Sequence, residues 1–429
     1  MSIDRLIIER ATITAADRVQ KYDIAQSITD IEIFEHIDKP YLTGMVIFLD
    51  PIGVLDKVKF QGVEEFYLTL SFPEDNRPSI SRKFIIDRII STNKNNDNSE
   101  LITFHIIEEV GFISSFLNVN KAYDGSSRQI VEKIINEHFS VRLTKADEDE
   151  AKYNMRVVVP NMTPLEAADW IKDRTTSSYG TPYYLFTVLG QPGYMHFLPL
   201  STLISAPMND TREYTYSQST TASASTSKDF SAKYYTINAY NQKPLEISAL
   251  IDEGLISSIQ GYWDTSSAFD ASTQFEIENT LGLVPGFNKN NFKFKNEYVH
   301  NNSKLNRIKS RKQYTIHSSY PYPDHYSFRE LENLNRTMTS RSIRHMLTTG
   351  SIDISVSGRN FIIYGKNRSI GNLIKLRFLN NQTPTTSTDI SDLTDKVKSG
   401  KHLIYAARHI IRKERYDVTL SCVKLENLP

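Results

Sequence analysis

Cysteine is almost missing from this chain: Cys422 is the single one among 429 residues. One thiol excludes an internal disulfide and any cysteine-rich zinc site, and it fits assembly in a reducing cytoplasm. Its position in an alternating strand pattern marks it as a small buried side chain rather than a reactive thiol. Long hydrophobic runs are missing too. No stretch approaches the ~18 apolar residues that span a bilayer, and the opening Met1-Ser2-Ile3-Asp4-Arg5 lacks the basic-then-apolar profile of a signal peptide. No membrane association is expected. Excess charge of one sign is absent as well, since 50 basic residues face 50 acidic ones. Chain-wide, sequence-independent binding to nucleic acid is therefore disfavoured.

Motifs for chemistry are equally scarce. There is no His-Glu-x-x-His, no cysteine pair, no phosphate-binding Gly-x-x-x-x-Gly-Lys-Ser/Thr and no Gly-x-Ser-x-Gly elbow. Gly365-Lys366 lacks a glycine-rich lead and reads as a hairpin turn. His36 and Asp38 have a spacing compatible with a metal, but their place before Pro40 favours a turn. His317 and His325 flank Tyr320-Pro321-Tyr322-Pro323 with no carboxylate cluster beside them. Arg408-His409 falls on a strand, where surface or interface packing is the default. The run Lys145 to Glu150 reads as a solvated loop. No spacing nominates a carboxylate pair for glycoside hydrolysis. No catalytic residue, cofactor or metal is expected, and the reading is non-enzymatic.

What the chain does contain is β-pattern. Aromatic residues make up 11% and hydrophobic ones 39%, a composition suited to β-structure and large protein contacts. At this length two to four domains are expected. Residues 1–109 read as a first β-domain. Ile28 to Glu35 alternates, as does Gly62 to Leu70, while Phe84 to Ile90 is apolar on both faces and predicts a strand covered on both sides. Asn93 to Ser99 is a hairpin tip.

Residues 110–215 change to a mixed period and predict an α+β insertion. A Ser or Asp cap near Asp124-Gly125-Ser126 precedes a stripe of Ile130, Ile134, Ile135 and Phe139. Thr163-Pro164-Leu165-Glu166 is a capping box with proline at the first helical position. A hairpin is predicted from Tyr183–Val188 and Tyr194–Leu198. Residues 216–265 read as a Ser/Thr-rich linker followed by strands, and 266–327 as an irregular peripheral segment. Residues 328–429 open with a helix over Phe328–Met346 and close with a second β-domain, interrupted by a polar excursion over 380–399.

The two β-domains repeat one order. Thr43-Gly44 opens a strand, Gly62 leads a second, and Phe84–Ile90 pairs with Leu101–Ile107. In the same order Thr349-Gly350 opens Ser351–Val356, Gly371 leads Asn372–Phe378, and His402–Ile411 pairs with Tyr416–Leu425. Three chains carrying such a unit twice place six similar units around one axis, which matches a threefold partner to a sixfold one.

This order, with the Thr-Pro-Leu-Glu helix start and the Tyr183–Phe197 hairpin between the copies, resembles the baseplate hub proteins of contractile phage tails. It is also similar to the spike-base region of late-control and type VI secretion spike proteins. The resemblance implies a mainly β (α+β) fold with two tube-like antiparallel β-barrel domains around an α+β insertion. It implies a homotrimer forming a pseudo-hexameric ring in the virion tail baseplate, assembled in the host cytoplasm. Tail tube protein lies above, the central spike protein below and baseplate wedge proteins around, with genomic DNA passing through the lumen without specific binding. Absence of a spike-like extension after Leu425 favours a separate hub subunit. The alternative is a β-rich receptor- or carbohydrate-binding virion protein, with Tyr320, Tyr322 and Tyr326 as the contacting aromatics.

Overall fold

The computed structural model describes residues 6–51, 53–72, 77–96, 99–145, 154–208, 212–216, 235–243, 246–264, 269–277, 299–300, 303–304, 311–317, 331–366, 369–379, 394–413 and 415–424. Its first part supplies strands β1 (Ile7–Thr14), β2 (Lys21–Asp23), β3 (Ile28–His36) and β4 (Thr43–Asp50). Helix α1 (Val54–Val58), β5 (Glu64–Ser71), β6 (Ile80–Asn96) and β7 (Ser99–Glu108) follow. Period-two alternation makes these strands: Val46 and Phe48, then Phe66, Leu68 and Leu70, then Ile102, Phe104 and Ile106 are buried, with half-buried residues between them.

The middle part comprises α2 (Glu109–Ser114), β8 (Ala122–Ser126), α3 (Ser127–His138), β9 (Arg142–Lys145) and β10 (Asn154–Val158). It continues with α4 (Pro164–Asp173), β11 (Tyr183–Phe186), β12 (Tyr194–Pro199) and α5 (Leu200–Ser205). Both predicted helix starts are present. Ser126 with Gln129, and Thr163 with Glu166, form complete capping boxes, each satisfying donors the first turn leaves open. The α3 stripe of Ile130, Ile134 and Ile135 packs with Leu165, Ala168 and Ile171 of α4 and with Met195 and Phe197 of β12 in a core of their own.

The last part comprises β13 (Glu213–Tyr216), β14 (Ala239–Gln242), α6 (Ile247–Asp252), β15 (Ser257–Asp264), β16 (Phe269–Glu276), β17 (Val299–His300), β18 (Ser303–Lys304) and β19 (Arg311–His317). Helix α7 (Leu331–Thr349) leads into β20 (Ser351–Ser357), β21 (Leu373–Phe378), β22 (Gly400–Arg412) and β23 (Tyr416–Lys424). Residues 266–327 are thus less irregular than the sequence predicts. β15 pairs antiparallel with β16 and parallel with β19 in a three-stranded sheet. Polar composition hides β16 and β19, because few of their residues are apolar. The Ser/Thr-rich stretch, the Tyr-Pro-Tyr-Pro segment with Tyr320, Tyr322, His325 and Tyr326, residues 146–150 and most of 380–399 lie outside the described residues.

The repeat read from sequence is a repeat of strand pairing. In the first unit the neighbours run β3-β4-β7-β6-β5-β1, and in the second β14-β20-β23-β22-β21-β13. Both units carry a bulge at a matching place, and β6 has two further register shifts, between Ile89 and Ser91 and between Lys94 and Asn96, that β22 lacks. Ile86 pairs with Ile106 and Arg88 with His105, leaving Asp87 extra; Ile404 pairs with Cys422 and Ala406 with Ser421, leaving Tyr405 extra. Anchored on these bulges, Gly44 corresponds to Ile352, because they face Ile106 and Cys422. The Thr-Gly pairs are therefore offset by two residues, a shift that keeps every side chain on its own face. One difference is that β1 pairs antiparallel with β5, whereas β13 pairs parallel with β21.

The mainly β fold is as expected, while the arrangement in two barrels is not shown. Both units belong to one 13-stranded sheet, and no closed barrel is formed among the described residues. The physical reason lies in β22. Its first residues pair with β21, and after the Tyr405 bulge the same edge takes β3, from Ala406 opposite His36 to Arg412 opposite Asp30. The first core is closed in part by second-unit side chains, Ile411 and Tyr416. Phe84 to Ile90 also departs from expectation: Phe84, Ile85 and Ile86 are buried, but Ile89 is 37% and Ile90 47% exposed. No helix among the described residues is long and apolar enough to cross a membrane.

Candidate functional site

A buried polar constellation lies where the first unit, the second unit and the link after β11 converge. Alternation along β3 puts Glu35 on the inward face with Ile31 and Ile33. On β6 it puts Arg82 with Phe84 and Ile86, and on β7 it puts Glu108 with Ile102, Phe104 and Ile106. Opposite them stand His409 on β22 and Tyr416 on β23, both buried.

These groups bond one another and the main chain of the link. Tyr416 Oη and His409 Nδ1 are 2.8 Å apart, and His409 Nε2 lies 3.3 Å from Glu35 Oε2, within ion-pair range but outside hydrogen-bond geometry. Leu189 N donates to Glu35 Oε1 at 2.5 Å. Arg82 donates through Nη1 to Glu108 Oε1 at 2.8 Å, through Nε to Leu189 O at 3.1 Å, and through Nη2 to Val188 O. Glu108 Oε2 accepts from Leu42 N at 2.9 Å and from Thr187 Oγ1 at 3.3 Å. Burial pushes the Glu35 carboxyl up, but the His409 charge and the polar contacts with His409, Ser369 and Leu189 outweigh it and hold the carboxyl below its ordinary value.

A second cluster ties the turn after β3 to two helices. Asp38 accepts from Lys172 Nζ at 2.5 Å and from Arg344 Nη1 at 3.2 Å. Lys172, although 1% exposed, also reaches Asp169, and Arg344 reaches Asp173 at 2.9 Å and Tyr183 O at 2.7 Å. Burial would raise the Asp38 carboxyl, yet Arg344 and Lys172 hold it below the ordinary range. The turn reading of His36 and Asp38 is the one the geometry follows, with Asp38 N donating to His36 Nδ1 at 3.0 Å. Among the described residues no group of three or more His, Cys, Asp or Glu is placed to hold a metal ion.

Arg408 and His409 divide. Arg408 is exposed and pairs with Glu32 across the β22–β3 junction, as Arg412 does with Asp30, whereas His409 is fully enclosed. Surface packing thus describes Arg408, and the inward phase of β22 overrides it for His409. Cys422 is buried, and burial pushes its thiol up, away from reactivity. Gly365 has φ 70° in a turn closed by the Ile363–Lys366 bridge, as its hairpin reading requires. His317 ends β19.

Sequence reasoning misses Glu35, Arg82, Glu108, Lys172 and Arg344. For the three strand residues a signal exists: each is a charge standing in the buried phase of an alternating strand. Asp50 and Glu64 obey the same rule and also serve the main chain. Asp50 accepts from Val54 N at the start of α1, and Glu64 accepts from the amides of Gln61, Gly62 and Val63. A glutamate–histidine–tyrosine row resembles a proton relay in composition. Here it is buried, with Glu35 held by the Leu189 amide and Arg82 and Glu108 beside it bonded to main chain, so its chemistry is that of a clasp between segments.

The fold formed around this clasp is that of phage tail proteins. No protein-family model matches the sequence, and no curated protein matches it. Among solved structures the chain is similar to a tail protein from Neisseria meningitidis MC58, with TM-score 0.55 at 10% identity over 97% of this chain and 96% of that one. It is also similar to the 43 kDa tail protein of prophage MuSo2 from Shewanella oneidensis, with TM-score 0.52 at 8% identity over 97% and 98%. At such identities the likeness is one of fold.

Proposed function

We propose that this chain is a structural, non-enzymatic hub of a contractile tail baseplate: a homotrimer whose two β-units per chain form a pseudo-hexameric ring. The observation that carries this reading is the repeated pairing order with its shared bulge, joined within one sheet. A closed ring of three such chains presents six related units, matching a sixfold tube on one side and a threefold spike on the other. Likeness in fold to phage tail proteins over nearly the whole chain supports it.

Under this reading residues 1–109 and 328–429 are the ring-forming domains, with strands from the 216–265 segment completing the second. Residues 110–215 and 266–327 lie towards peripheral partners such as wedge proteins. DNA passes through the lumen without specific binding, in keeping with the balanced charge. The test is the mass of the purified chain by analytical ultracentrifugation and in mature particles. Three times the 49.2 kDa protomer is expected; a stable monomer or dimer overturns the ring.

A further inference from the structure

The two units differ in what occupies one edge. In the second unit β22 continues past β21, and the edge exposed beyond the Tyr405 bulge is filled by β3 of the first unit. In the first unit β6 continues past β5 in the same way: β5 pairs with it only from Ile80 to Ile86. Beyond the Asp87 bulge β7 lies on one side, and among the described strands none pairs with the other side over Arg88 to Asn93.

Side-chain burial follows this difference. Through the paired bulges Ile89 corresponds to Ala407, since they face Phe104 and Leu420. Ala407 is 4% exposed beside β3, whereas Ile89 is 37% exposed and its neighbour Ile90 47%. Such an open strand edge with apolar side chains beside it is a template for another strand.

The element matching β3 in the second unit is β14. Each lies outside the strand that opens its unit, β3 on β4 and β14 on β20, and both pair antiparallel. β3 uses its other edge for β22, while β14 ends the strand order with its other edge uncovered by any described strand. Among the described strands the chain therefore carries one unfilled acceptor and one unused donor of the kind already joined inside it. We infer that β14 of one chain adds antiparallel to the β6 edge of a second copy, repeating between chains the β3–β22 junction within each chain.

The register follows from the same correspondence. Gln242 faces Ile352 as Ile33 faces Gly44, and Thr92 faces Ile102 as His409 faces Val418. Since Ile33 lies opposite His409, Gln242 lies opposite Thr92 of the next chain, the match being carried through β7 and β23 past a second β6 bulge between Ile89 and Ser91 that β22 lacks. The contact is heterologous, each chain donating once and accepting once, so a rotation that closes makes a ring. Charge is lighter here than within the chain. Glu32 and Asp30, which meet Arg408 and Arg412 inside the chain, correspond to Asn241 and Ala239 of β14, leaving a seam formed by main-chain bonds.

This inference rests on the ring reading and names its subunit contact. The test is the full-length double variant Thr92→Cys/Gln242→Cys, both positions being exposed and Cys422 being buried away from competition. Directly opposed strand residues have Cα atoms about 4.5–5.5 Å apart, inside the range of about 4.4–6.8 Å that a disulfide bridges. Under mild oxidation the double variant is expected to run as covalent dimers and trimers on non-reducing denaturing gels. Each single variant is expected to stay monomeric there, and Thr92→Cys/Ala239→Cys to cross-link at least about tenfold less. A native trimer by ultracentrifugation in which the matched pair stays unlinked, or links no better than the mismatched pair, overturns the seam and leaves the ring standing. A chain that stays monomeric by mass overturns both.

Discussion

Arg82 shows what a charge does in the buried phase of a strand. Its guanidinium serves Glu108 and two main-chain carbonyls of the link, so three segments depend on one side chain. Replacing it with methionine keeps most of the volume and strands Glu108 in the interior. The expected cost is about 3–5 kcal/mol, read as a drop in urea midpoint at unchanged slope. Two buried histidines set a pH dependence. Burial holds His196 and His402 down to about 4, from an ordinary 6.5. Both are neutral when folded and gain a proton more readily when unfolded, so their contribution is complete above pH 6.5 and is lost as pH falls to about 4. Each withdraws on the order of 3 kcal/mol over that window. His402 Nδ1 lies 3.0 Å from Gly400 O, and His402→Asn retains a donor there without titrating. Urea midpoints measured from pH 7 to 4 are expected to fall less steeply in that variant; an unchanged slope overturns the assignment. At this scale the sequence is legible where polar residues break an alternating pattern, as Glu35 does after Ile31 and Ile33. It is not legible for Lys172 and Arg344, whose partner Asp38 is distant in sequence and joined to them by folding alone.

Elements are read best where local chemistry decides them. The capping boxes of α3 and α4 are local patterns, and both helices start where the caps stand. Thr163→Ala is expected to cost about 1 kcal/mol, with thermal unfolding as the measure and Thr163→Ser restoring most of the loss. Strands of mixed polarity, β16 and β19, escape a sequence reading because their pattern is weak without the neighbour that pairs with them. A tighter constraint sits at Gly358, after β20. A methyl group there would come within 2.3 Å of the Tyr416 ring, the same ring whose hydroxyl meets His409. Gly358→Ala is expected to cost about 1–3 kcal/mol and to shift the tyrosine fluorescence; wild-type stability in this variant overturns the close approach.

At the scale of the whole molecule the duplication is visible in the order of strands, because each copy carries the same sequence of local signals. What is not visible is that the copies share a sheet. The β22–β3 junction joins residues 376 apart, as at Arg408 and Glu32, and leaves no local trace beyond the length of β22. Two separate barrels are the simpler inference from two separate patterns. The shared sheet also predicts how the chain responds to denaturant. Unfolding of the two β-units is expected to be one transition by circular dichroism and tyrosine fluorescence; two well-separated transitions would show that the junction does not couple them.

That junction has a consequence during synthesis. The outer edge of β3 leaves the ribosome early, yet the strand that covers it follows only after most of the chain has been made. At about 5–20 residues per second the edge stays uncovered for tens of seconds, a strand template with no partner present. A chain truncated before β22 keeps that edge permanently and is expected to aggregate, and the order of translation makes a holding chaperone most useful to the half of the protein that is made first.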